Sequence, residues 1–313
     1  NCKFDKDDVA KERKVILEEY QRGLSNPNRF ASRVSYRKRY KNAEFSHDVI
    51  GTKTSIQKLS ANDLKAFYQK FTPDKLTIYG GGKMKGGDYK KLMEKHLGKF
   101  LFMKDFRSKP QPIGQPIEKP KFYAFNKDNA QTQVVMSFNI FNFKDERRPA
   151  LNYIVSALNG LGGRLNDEAR DRQGLLYNIG TDYEFNENDG LFVLGFGCVS
   201  ENVPKVLKIF KDCLKDIAAK GLEQDEFTKI KNGIKVGLAN AKISLNRKIN
   251  NAYGDMRYYG RLLTDKERYA ELENVTNENI KQVAQYLLDN QSYVIVGVGK
   301  GITKKHLESY KKA

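Results

Sequence analysis

Three cysteines and three histidines in 313 residues leave little material for metal or thiol chemistry. Cys2, Cys198 and Cys213 have neither paired nor CxxC spacing, which argues against a disulfide framework or a zinc knuckle. Such usage favours a reducing compartment, or a periplasm-like one where free thiols persist. His47, His96 and His306 stand at no helical ligand spacing, and neither HExxH nor HxxEH occurs, so the chain alone is not expected to assemble a catalytic zinc. Each lone histidine reads as a surface or packing residue. No apolar run approaches the ~20 residues that a bilayer span needs, and the opening residues do not have the form of a signal peptide. "GGGKMKGG" lacks the GK[ST] of a phosphate loop, and no GxSxG elbow or Cys/His nucleophile motif is present. Acidic residues are short as well: 38 Asp+Glu face 56 Lys+Arg, a net charge of +18. That excess suits nucleic acid, an anionic surface or an acidic peptide. The densest cluster is "YRKRYK" at 36–41, basic with interleaved tyrosine, while elsewhere the lysines scatter along helices, so nucleic-acid binding is the remote reading.

Apolar material is ample. With 39% hydrophobic and 11% aromatic residues, the chain can bury cores for two domains. "RSKPQPIGQPIEKPK" at 107–121 holds four of the eight prolines and reads as an extended linker between domains at 1–106 and 122–313. Upstream, helices are expected near 5–22, 28–42, 60–71 and 87–97, with a strand at 75–80. Downstream come strands "FYAFN" and "TQVVMSFNI", helices over 147–158 and 163–172, and a hairpin turning at "NENDG". Three helical stretches and a closing strand "SYVIVGVG" complete the pattern, with Ser200 as an N-cap.

Three segments recur in order. "LSANDLKAFYQKF" (59–71) matches "VTNENIKQVAQYL" (275–287), an offset of 275 − 59 = 216. "LTIYGGGK" (76–83) matches "YVIVGVGK" (293–300) at 293 − 76 = 217, and "FDKDDVAKERKVIL" (4–17) matches "LEQDEFTKIKNGIK" (222–235) at 222 − 4 = 218. The halves read as copies of one domain. The second copy has roughly a hundred residues, 122–221, before its matching helix, while the first has three; the first domain is therefore expected to be incomplete at its N-terminus.

The repeat singles out one carboxylate. In the helix at 5–20, Val9, Ile16, Leu17 and Tyr20 form the apolar face, flanked by Glu12 and Glu19. Glu12 aligns with Ile230, a member of the stripe Phe227, Ile230, Ile234, Leu238, so it is expected to face a cation or metal. Glu19 aligns with Gly237, which says less. In "LGGRLNDEARDRQGLLYNIG" (161–180), Arg170 and Tyr177 lie across one helix-to-strand turn. A fixed cation and a phenolic donor suit a developing oxyanion. A helix C-terminal arginine beside an amphipathic strand tyrosine explains them equally well.

"VAKERKVILEEY", "HDVIGTKTSIQKLSANDLKAFYQKFTPDKLTIYGGG" and "GGRLNDEARDRQGLLY" resemble the pitrilysin/insulinase-type zinc metallopeptidases, the inverzincins, which include mitochondrial processing peptidases and their non-catalytic halves. The similarity runs over nearly the whole chain in the same motif order. It implies an α+β fold of tandem duplicated domains, each an antiparallel sheet with helices packed on one face. It also implies Glu12 as the third zinc ligand and Glu19 as a glutamate supporting it. Arg170 and Tyr177 match the pair that binds substrate backbone and stabilises the tetrahedral intermediate. Zinc is implied as cofactor only if a segment upstream of Asn1 supplies HxxEH. The leading expectation is part of a zinc-dependent endopeptidase or oligopeptidase closing around unfolded peptide. The alternative is a non-catalytic, peptide-binding half that partners a metal-bearing half or subunit. The compartment stays open between bacterial periplasm, cytoplasm and organelle matrix.

Overall fold

The computed structural model describes residues 3–41, 48–69, 78–97, 114–160 and 162–313. Cys2, His47, residues 75–77 of the expected strand and 107–113 of the expected linker lie outside them. The fold is α+β. Among the described residues its first half is helical: α1 (Lys6–Ser25), α2 (Pro27–Lys38), α3 (Lys53–Lys58), α4 (Ala61–Tyr68) and α5 (Gly86–Leu97). The second half interleaves β1 (Lys121–Asn126), β2 (Thr132–Ile140), α6 (Arg148–Leu158), α7 (Arg164–Asn166), β3 (Leu176–Phe185) and β4 (Gly190–Cys198). It continues with α8 (Val203–Lys220), α9 (Gln224–Ile243), α10 (Leu245–Tyr259), α11 (Asp265–Glu273), α12 (Asn277–Asp289), β5 (Tyr293–Gly299) and α13 (Lys304–Lys312).

The five strands run in the order β1-β5-β2-β4-β3, antiparallel except where β1 pairs parallel with β5. Alternation sorts β2 into two faces. Val134, Met136 and Phe138 join Phe192, Leu194 and Phe196 of β4 under α6, α8, α12 and α13, the main core. Phe138 sits at its centre, 5.9 Å from the Phe192 ring and 5.2 Å from Tyr293. Val135 points the other way, with Val294, Val296 and Val298 of β5, against Phe30, Ala31 and Val34 of α2 and Ile117. The helices expected on one face are thus joined by α2 on the other. β5 is buried at every residue, and a strand apolar on both sides requires cover on both.

"YRKRYK" pins this arrangement. Arg39 is 1% exposed, its guanidinium stacked 4.7 Å from the Tyr36 ring and 4.8 Å from Tyr40. It meets Asp189, in the β3–β4 turn, at 3.4 Å, and Tyr40 donates to the same carboxylate. Burial pushes the Tyr40 phenol up, so it stays a donor. Tyr40 bridges to Pro116, and Ile117 donates to the Arg39 carbonyl at 3.0 Å, so the described end of the proline-rich stretch is stitched to α2. The motif that favoured nucleic acid therefore has its central arginine in the interior.

Helix boundaries repeat. α1 and α9 each have 20 residues, with starts at 224 − 6 = 218 and ends at 243 − 25 = 218. Asn26 ends α1 and caps α2 by accepting from Arg29 N; Ser244 ends α9 and caps α10 by accepting from Arg247 N, again 244 − 26 = 218 apart. The packing is reciprocal as well. As α2 lies on β5, so α10 lies against residues 79–81: Tyr79 meets Tyr253 edge-on at 5.6 Å, and a Cβ at Gly81 would stand 2.6 Å from Leu245 and 3.4 Å from Ile249.

Three expectations are corrected. Five helices, α8 to α12, replace the three expected, because Gly221, Ser244 and Gly260 break the periodic run. β5 is not the closing element, since α13 follows it. Ser200 caps no α-helix. It opens a short 3-10 turn, where its buried hydroxyl bonds Thr132 Oγ1 and the Lys300 carbonyl, each at 2.7 Å.

Asp189→Ala leaves Arg39 buried without its counter-charge, and is expected to cost about 3–5 kcal/mol. A urea midpoint equal to that of the unaltered protein would show that the pair does not hold α2 to the hairpin.

Candidate functional site

Arg170 and Tyr177 come together. Leu165 and Ala169 are fully buried and anchor the segment to the core. Arg164 holds it from outside, with Nε and Nη2 on Glu226 at 3.0 and 2.6 Å and Nη1 on Asp216 at 2.7 Å. The expected helix over 163–172 is α only to Asn166; Asp167–Arg172 winds as a π-helix. Gly174 at φ +60° ends it, placing Gly174 N on the Arg170 carbonyl and Leu175 N on the Ala169 carbonyl, both at 2.9 Å. β3 then begins with a bulge. Leu176 pairs with Cys198 and Asn178 with Gly197, so Tyr177 is the extra residue between them. Tyr177 is 75% exposed, and the Arg170 guanidinium lies 5.4 Å from its ring centroid. The carboxylate nearest Arg170 is Asp171, at 3.8 Å. Two local irregularities thus aim one cation and one phenol outward at the same place.

β3 is an edge strand, but its middle is closed. Asn159 takes both main-chain groups of Thr181, accepting from its N–H at 2.7 Å and donating to its carbonyl at 2.6 Å.

Glu12 and Glu19 are exposed on α1, a helix with no fully buried residue. They line different hollows. Glu12 joins Asp8, Val9, Arg13, Ile56, Leu59 and Leu64 around about 290 Å³, beside the Arg13 bond to the Leu59 carbonyl. Glu19 joins Arg22, Arg29, Arg33 and Asp48 around about 720 Å³. Among the described residues no three His, Cys, Asp or Glu side chains converge to hold a metal ion, so these residues alone do not fit zinc. His306 is a cap, its Nδ1 accepting from Thr303 N at 3.2 Å, and His96 is exposed on α5.

The sequence reading missed the π-helix, the bulge and the Arg164 clamp. The two carboxylates that bind Arg164, Asp216 and Glu226, lie 52 and 62 residues away from it, so no local pattern announces them.

The family model described as the peptidase M16 inactive domain matches residues 58–234, more than half of the chain, and the chain belongs to that family. An uncharacterized zinc protease of Mycobacterium bovis is 23% identical over 288 residues, covering 91% of this chain and 66% of that protein. A non-peptidase homolog, YmxG, of Helicobacter pylori is 25% identical over 194 residues, 60% of this chain and 43% of that protein. The chain spans just under two thirds of the length of the mycobacterial relative. The crystal structure of a protease from Helicobacter pylori superposes with a TM-score of 0.81 at 18% identity, over 95% of this chain and 73% of that one. A peptidase M16 inactive domain from Pseudomonas fluorescens gives 0.77 at 21% identity, over 96% and 72%. These structures share the fold. Among the described residues no helix is long and apolar enough to cross a membrane.

Burial pushes the Cys198 and Cys213 thiols up to about 12 and about 11, so at pH 8 both are thiols rather than thiolates. Alkylation of either by iodoacetamide is expected to be far slower in the native than in the unfolded protein. Mass-spectrometric labelling at equal rates in the two states would contradict that.

Proposed function

We propose that the chain is the non-catalytic, peptide-binding part of an M16-type peptidase, acting beside a metal-bearing half or subunit. It would comprise the end of one domain (1–106), the connecting stretch 107–121 and a whole tandem copy (122–313). The carrying observation is the Arg170–Tyr177 pair, held outward by a π-helix and a bulge. Both irregularities cost stability and concentrate at functional sites. Arg170 offers a planar cation to a peptide carbonyl, and Tyr177 offers an apolar ring with one phenolic donor. The mycobacterial relative is named a zinc protease, and the Helicobacter relative a non-peptidase homolog. The match to a family model described as an inactive domain favours the second role for this chain. Glu12 remains the carboxylate that this chain could offer to a zinc, with Glu19 supporting it, if a segment upstream of Asn1 supplies HxxEH.

The test uses a fluorescein-labelled, unstructured peptide and the purified chain. Binding without hydrolysis is expected, with or without added zinc. Arg170→Ala and Tyr177→Ala should each weaken binding by about tenfold, or about 1.4 kcal/mol, and Arg170→Lys should not restore it. Hydrolysis by the chain alone would overturn the reading, as would wild-type affinity in both alanine variants.

A further inference from the structure

α1 and α2 meet around an open hollow of about 720 Å³ that is rich in arginine. Glu19, Arg22 and Gly23 share one face of α1, and Arg29, Ser32 and Arg33 share one face of α2. Arg33 is the fixed part. Its Nε pairs with Asp48, and its guanidinium lies 5.2 Å from the centre of the Tyr20 ring. Gly23 gives it room, since a Cβ there would stand 3.4 Å from Arg33 Nη1. Arg22 and Arg29 are the loose part. Both are exposed, and among the described residues neither guanidinium has an ion pair or a hydrogen bond. Arg22 pairs with neither Glu18 nor Glu19, one turn before it. Other basic helical residues do take acids one turn away, as Lys220 takes Asp216 and Lys304 takes Glu308.

The repeat shows that this cluster does not come with the helix pair as such. At the offset of 218, Arg22, Arg29 and Arg33 correspond to Asn240, Arg247 and Asn251, and Glu19 corresponds to Gly237. Two of the three cations therefore belong to the first half alone. The charge balance narrows the ligand. Three guanidiniums line the hollow with two carboxylates, Glu19 and Asp48, which leaves one net positive charge. That suits a single carboxylate better than a phosphate dianion. Planar guanidinium forks grip a carboxylate through parallel hydrogen bonds, and Asn28 and Ser32 add neutral donors to the lining.

We propose that Arg22 and Arg29 close on a carboxylate carried by the peptide ligand, over Arg33 held in place by Asp48. The proposal rests on the peptide-binding reading above and adds a preference to it. The group selected is a C-terminal carboxylate or an Asp or Glu side chain, docked between α1 and α2.

The test uses three forms of one unstructured peptide of Ala, Ser, Val and Thr, each with an uncharged BODIPY label on its N-terminus. One ends in an amide and is neutral, one ends in a free carboxylate, and one is amidated with an internal Ser replaced by Glu. Fluorescence anisotropy on the unaltered protein is expected to show about tenfold tighter binding of a carboxylate-bearing form than of the neutral one. The tighter of the two charged forms names the source of the carboxylate. Arg22→Gln combined with Arg29→Gln should erase that gain and leave binding of the neutral peptide as it was. Lys14→Gln combined with Arg37→Gln removes the same charge from exposed positions outside the hollow, and should keep the gain. A gain that survives the double arginine variant, or that both double variants lose alike, would overturn the site. Equal binding of all three peptides to the unaltered protein would overturn the site and leave the peptide-binding reading standing. No binding of any of them would overturn both.

Discussion

Every residue of β5 is buried, and a strand that is apolar on both sides needs cover from two directions. The main core supplies one side through α8, α12 and α13. The other side is closed by α2, which comes from the opposite half of the chain. Much else follows from that demand. The chain must return from α2 to β1 along the rim of the sheet, which it does through Pro116 and Ile117. The helix end must be fixed against the β3–β4 turn, which Arg39, Tyr40 and Asp189 accomplish. α2 also covers the outer strand β1, where Phe30 meets Phe125 edge-on at 4.9 Å and Lys38 lies over the Tyr123 ring at 5.6 Å.

The Arg170–Tyr177 site shows how a rigid scaffold can carry irregular backbone. The π-helix is bounded by a buried Leu165 and a bidentate Arg164 on one side, and by Gly174 in the left-handed region on the other. With its ends so held, the extra residue in the winding has nowhere to relax. The bulge at Tyr177 then shifts the phase of β3, putting Leu176 toward the core and Asn178 toward the opposite face. The same slip exposes the tyrosine and sets Asn178 opposite Gly197.

Much of this was legible in the sequence, for local reasons. The capping boxes of α4 and α12, at Ser60 and Thr276, announce themselves in four residues each, and both repeat segments begin on them. Arg170 and Tyr177 stood out because a helix-to-strand turn brings i and i+7 near each other. What stayed hidden depends on distant partners. The basic, tyrosine-laced motif at 36–41 looks like a solvated patch until Asp189 is placed beside it. Ser200 has the form of a helix cap, yet Thr132 and Lys300 claim its hydroxyl.

The reciprocal placement of α2 on β5 and of α10 against Tyr79 and Gly81 ties the two halves of the chain together by exchanged helices. Each half lends a helix to the other: lifting α2 would uncover β5, and lifting α10 would uncover Tyr79 and Gly81.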